Sequence, residues 1–177
     1  MGLEPIFHSD KIEFVDYDFL PASVYPNKKI DAKEILEVDI NQAPPTLRIK
    51  NELIFISAVK SNELEAFAQK NNIKIIKRFD IWHSILEPFL DTQFSEAQQQ
   101  ETLQNLKKFG LKKDEVQKLR ERVKDPMIDY NYKSLMWDWA HLGQFDLLEA
   151  HKYTLNEDEF KKLYWESMKI ALLAYKD

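Results

Sequence analysis

The chain contains no cysteine, which excludes disulfides, thiolate nucleophiles, iron–sulfur clusters and any zinc site built on Cys. Glycine is nearly as scarce, with 3 in 177 residues, at positions 2, 110 and 143. Neither a Walker loop nor a dinucleotide fingerprint can be written with so few, because both need several glycines for close backbone approach to phosphates. The G-x-S-x-G elbow that exposes a nucleophilic serine is absent, and so is the H-E-x-x-H zinc motif. Long apolar runs are missing too: Ile170 to Tyr175 falls far short of the roughly 20 residues that a membrane span needs. The N-terminal stretch has no basic region leading into an apolar core, and Ile6 stands where N-myristoylation requires Ser or Thr. These absences lead to the expectation of a cytoplasmic chain with no membrane contact and no cofactor.

What is present points to a folded protein. Hydrophobic residues make up 44% and aromatics 12% of the sequence, enough apolar surface to offset chain entropy. The length fits one domain or two small subdomains. The net charge of −5 is unevenly spread, because Lys107 to Lys124 holds eight basic and three acidic residues. Asp114, Glu115 and Glu121 interleave with those bases, Val116, Leu119 and Val123 mark a buried stripe, and no aromatic lies between Phe109 and Tyr130 to stack a base. The stretch reads as a solvated helix face, and nucleic acid is not the expected partner.

The pattern changes near residue 60. Before it, runs rich in Ile, Val, Phe and Tyr (Lys11 to Phe19, Lys28 to Ile30, Ile35 to Ile40, Thr46 to Ile49, Glu52 to Ser57) read as strands interrupted by prolines 21, 26, 44 and 45. Lys50-Asn51 suggests a hairpin, with Asn51 at positive φ. After residue 60 the spacing is helical. Ser61 opens a helix that Asn71-Asn72 ends, Asp80 caps a segment that Pro88 breaks, and Ser95 with Gln98 caps a helix that Gly110 stops. A further helix runs from about Lys113 to Lys124, where Asp125-Pro126 halts it, and Asn156 with Glu159 opens the last. The expected class is α+β, an N-terminal antiparallel β-meander closed by a helix over residues 1–78, followed by an all-helical part of about five or six helices over residues 79–177.

The runs EILEVDI, TLRI and ELIFIS, followed by SNELEAFAQKN, resemble the strand-meander-then-helix pattern of bacterial pleckstrin-homology-like domains over residues 10 to 72. The chain as a whole also looks like a bacterial protein. The resemblance implies a scaffold for peptide, protein or lipid contact. It does not carry phosphoinositide binding, because residues 1 to 58 hold six basic and ten acidic residues and no basic loop.

The densest aromatic stretch, Tyr130 to Tyr153, contains six aromatics and two of the four histidines. Trp139, Leu142, Gly143, Phe145 and Leu148 are similar to a tetratricopeptide helical hairpin, but stepping 34 residues from Gly143 lands on Phe109 and Asp177 with no echo of a repeat. If Lys133 to Leu142 is helical, Trp139 and Leu142 face a core while Trp137 and His141 share the opposite side. Tyr130 and Tyr132, read as an extended linker after the proline stop, would join them in lining a groove. The leading expectation is therefore a non-catalytic protein-interaction module that contacts another protein through Tyr130, Tyr132, Trp137 and His141. One alternative is a small hydrolase or ligand-binding protein using Asp138, His141 or Glu149 with His151. Another is an acidic immunity or antitoxin-type protein that masks a basic partner. His83 and Glu87, four residues apart, read as a surface pair.

Overall fold

A computed structural model of the chain describes residues 2–90, 95–133 and 141–176, apart from the side chains of Tyr132 and Lys133. The chain divides into two compact units, Met1–Phe79 and Asp80–Asp177.

The first unit is built on strands in two sheets. Strands β1 (Ile6–Phe7), β2 (Lys11–Phe14) and β3 (Lys28–Asp31) form an antiparallel sheet in which Ile12 pairs with Ile30. Both residues are buried, so the period-2 alternation of KIEF turns one face to the core and one to solvent. A second sheet has the order β6-β5-β4-β7, made from β4 (Glu37–Asp39), β5 (Thr46–Ile49), β6 (Glu52–Phe55) and β7 (Lys74–Ile75). Helix α1 (Ser61–Lys70) connects β6 to β7 and buries Leu64, Phe67 and Ala68.

Two features refine the sequence reading. The strands form two sheets rather than one meander, and β7 pairs with β4 in parallel because α1 carries the chain back across the sheet. In the β5–β6 turn it is Lys50, at φ 50°, that adopts the left-handed conformation expected of Asn51. Tyr17 follows β2, and its hydroxyl oxygen accepts the Phe55 N–H at 3.0 Å, which satisfies a buried edge-strand donor. Glu37 of β4 accepts from Arg78 at 2.7 Å and Arg48 at 3.2 Å.

The second unit is helical among its described residues: α2 (Ile81–Leu86), α3 (Glu96–Lys108), α4 (Lys113–Lys133), α5 (Gln144–His151) and α6 (Glu157–Ala171). Caps expected from the sequence close three of these helices. Asp80 accepts from His83 N–H at 2.9 Å, the Ser95 hydroxyl from Gln98 N–H at 3.3 Å, and Asn156 from Glu159 N–H at 3.0 Å. Pro88 ends α2 in a single 3-10 turn, Glu87–Phe89. At that end Arg120, itself buried, donates to the carbonyls of Ile85 (2.9 Å) and Ser84 (3.1 Å), which have no intrahelical donor left. Trp82 is fully buried, with its indole N–H on the Ser167 carbonyl at 3.0 Å.

Helix α4 overturns one expectation. It does not stop at Asp125-Pro126 but continues to Lys133 with Pro126 inside it. The buried stripe explains this. Val116, Leu119, Val123 and Met127 repeat at helical spacing straight through the proline, and Val116, Val123 and Met127 are fully buried. Burying each such side chain is worth about 1.5–3 kcal/mol, which together outweighs the roughly 3 kcal/mol that an interior proline costs.

Candidate functional site

The site grows from the two helix N-termini of the second unit. Asp80 is the α2 cap, and capping uses only one of its oxygens. The other, Oδ2, lies 3.2 Å from His141 Nε2, an ion-pair distance at which the atoms are not aligned for a full hydrogen bond. Asp146 sits in the first turn of α5, where its Oδ2 accepts the Gly143 N–H at 2.7 Å and complements the helix dipole. Its Oδ1 is 3.5 Å from the Tyr130 hydroxyl, at the limit of a hydrogen bond from α4. Residues 141–143, which lead into α5, are thereby tied to both carboxylates.

Two imidazoles complete the cluster. The rings of His83 and His141 stack with centroids 4.4 Å apart and planes 11° from parallel. His83 Nδ1 lies 3.2 Å from the Leu142 carbonyl. A carbonyl only accepts, so Nδ1 carries a proton there. Five side chains from three helices and one turn, at positions 80, 83, 130, 141 and 146, form a single polar cluster.

Electrostatics shift the titration of two of these groups upward. Burial pushes the Asp146 carboxyl up to about 6, against the opposing pull of the Gly143 N–H and the His141 ring. His141 is raised above its ordinary value, chiefly by Asp80, while burial works against the charged form. The Tyr130 hydroxyl is raised by burial and by the charges of Asp146 and Glu149, so it stays protonated. Asp146 can take up and release a proton near pH 6, and 33% of the His141 side chain is exposed while its Nε2 is buried against Asp80.

The candidates read from the sequence are distributed as follows. His141 and Tyr130 are both in the cluster. Tyr130 is in a helix, not an extended linker, and positions 130 and 132 are about 200° apart around its axis, so the helix corrects the picture of two rings presented side by side. The Tyr132 side chain, Trp137, Asp138 and Trp139 lie outside the described residues. Leu142 and Leu148 are fully buried, as hairpin core requires. The expected His83–Glu87 pair does not form, because Glu87 accepts from the Thr102 hydroxyl at 2.7 Å while His83 turns to His141 and Leu142. His151 is likewise turned inward, its Nδ1–H donating to the Leu147 carbonyl at 2.8 Å, and burial lowers its pKa.

Sequence reading missed Asp80, His83 and Asp146 as site residues. Asp80 was legible as a cap, and the H-x-x-x-x-D spacing of His141 and Asp146 across Gly143 marks a first-turn carboxylate. Nothing local announces that the Asp80 cap and the residues leading into α5 meet at the His83–His141 pair. Among the described residues no group of three or more His, Asp or Glu side chains is arranged to hold a metal ion, and no helix is long and apolar enough to cross a membrane.

No family model matches the chain, and neither the curated proteins nor the solved structures contain a match. The resemblance of residues 10 to 72 to pleckstrin-homology-like domains thus has no matched relative behind it.

Proposed function

We propose that the chain is a non-catalytic protein-binding module whose contact region runs from Tyr130 to His141. The observation that carries this reading is the placement of His141, partly exposed yet held in a fixed orientation by Asp80 and by stacking on His83. A preorganised side chain at the surface loses little entropy when a partner covers it. Ile128, on the same helix as Tyr130, adds a large apolar side chain that is 47% exposed. Tyr and Trp positions in this stretch supply the residue types that dominate binding hot spots. Because burial lifts the Asp146 carboxyl to about 6, partner affinity changes as pH crosses that value. The test is affinity capture with wild-type chain and with a Tyr132→Ala/Trp137→Ala double variant whose folding is confirmed by circular dichroism. Partners held by the wild type and lost by the variant support the reading, and a variant that retains every partner refutes it.

The second reading, a small hydrolase or ligand-binding protein with a carboxylate and histidine site, is favoured by one observation: a carboxyl near pKa 6 beside an imidazole paired with a second carboxylate. Groups poised in this range suit general acid and base work. A hydrolytic activity abolished by His141→Gln, with partner capture unaffected, would favour it over the first.

A further inference from the structure

The basic stretch that the sequence presents as a plain solvated helix face acquires a different character in the fold. In the sequence no aromatic accompanies the lysines beyond Phe109. The chain after α6 returns to the turn between α3 and α4, where Lys176 N–H donates to the Lys108 carbonyl at 2.7 Å. Tyr175 thereby packs edge to face against Phe109, with centroids 5.7 Å apart and planes at 87°, and remains 59% exposed. The Lys176 side chain lies over Gly110, whose φ of 85° makes the turn. A tyrosine and a fifth lysine have joined Lys107, Lys108, Lys112 and Lys113 around one turn of chain, all five lysines being exposed.

Positive charge is in excess there, with five lysines against Asp114 and Glu115. Among the described residues no ion pair engages Lys107, Lys112, Lys113 or Lys176, and Lys108 donates only to the Asn105 amide oxygen at 3.0 Å. Of the two acids in the turn, Glu115 is committed to the Lys112 backbone N–H at 2.7 Å.

We propose that this turn, formed by Lys107, Lys108, Lys112 and Lys113 with Tyr175 and Lys176 folded onto it, is a docking surface for an Asp/Glu-rich segment of a partner protein. Charge complementarity calls for an anion, and separate carboxylates suit the patch better than a continuous phosphate chain. Asp114 and Glu115 break the run of positive charge that a phosphate backbone would track. One exposed tyrosine is a typical protein contact, whereas single-stranded nucleic acid binding uses a series of stacking rings. The surface shares no residue with the Tyr130 to His141 region and stands independently of the function proposed for it.

Fluorescence anisotropy with a labelled ten-residue glutamate peptide tests the assignment. The wild type is expected to bind, more weakly as salt rises. The Lys107→Gln/Lys112→Gln/Lys113→Gln variant should lose about tenfold in affinity, the sum of three exposed ion pairs, and Tyr175→Ala should weaken binding further. A charge-matched control on α6, Lys161→Gln/Lys162→Gln/Lys169→Gln, should bind as wild type does. Absence of peptide binding at low salt, equal losses in the two triple variants, or tighter binding of an oligothymidylate through the same lysines would each overturn it.

Discussion

Replacing Asp146 by Asn should change not only how stable the helical unit is but how its stability depends on pH. The carboxyl is buried at the start of α5, with one oxygen on Gly143 N–H and the other facing Tyr130. Its pKa rises from 3.8 to about 6, mainly through burial. At about 1.4 kcal/mol per tenfold, that rise corresponds to about 3 kcal/mol of preference for the protonated form in the folded state. The folded chain therefore holds more protons than the unfolded chain between those two values, and stability falls as pH rises across that window. Above about pH 6 the ionised carboxylate carries the whole penalty. Asparagine reproduces the protonated group, since its oxygen can accept from Gly143 while its amide faces Tyr130. It gives up the attraction to His141, so the gain should be about 2–3 kcal/mol at pH 7.5 and close to zero at pH 4. Urea unfolding of both proteins at several pH values measures the difference directly, with other titrating groups cancelling. A difference that does not change with pH, or a variant less stable at pH 7.5 than at pH 4 relative to wild type, would refute the reasoning.

Further outcomes follow from the same geometry. Arg120→Ala should cost about 2–4 kcal/mol by urea unfolding, because the carbonyls of Ser84 and Ile85 lose their donors inside the protein; equal stability would show that water replaces the guanidinium. The pKa of Glu37, which burial tends to raise, is lowered overall by Arg78 and Arg48, so its stabilisation is present above its ordinary 4.5 and lost as pH falls through the depressed value. Glu37→Gln should accordingly destabilise the first unit at pH 7 and lose that effect under acid conditions in pH-dependent thermal melts. Gly110→Ala should cost about 1 kcal/mol or more, since it forces a side chain into the left-handed region and against Lys176; thermal melts would show it, and an unchanged midpoint would contradict the turn geometry.

Much of the fold was legible because its signals are local. A cap and its target lie three residues apart, so Ser95 with Gln98 and Asn156 with Glu159 announce α3 and α6 without reference to the rest of the chain. Pro88 breaks α2 as its chemistry requires. Pro126 misled for the opposite reason: its local cost is real, but the burial of Val123 and Met127 that outweighs it depends on tertiary packing. The candidate cluster was half legible. Tyr130 and His141 stood out by composition. His83 meets Leu142 across 59 positions of sequence, and no spacing rule connects residues so far apart. Asp80 and Asp146 were concealed by their capping roles, which account for one carboxylate oxygen and leave the second unassigned. The basic turn is the same case again, since the tyrosine that alters its character arrives from the far end of the chain.

Hydrogen exchange on the chain alone and in complex with a captured partner tests the proposed contact region most directly. Protection on binding should be concentrated between Tyr130 and Leu142 and should change as pH crosses about 6, where Asp146 changes protonation. Protection confined to other segments, with Tyr130 to Leu142 exchanging as in the free chain, would contradict the proposal that this stretch is the binding surface.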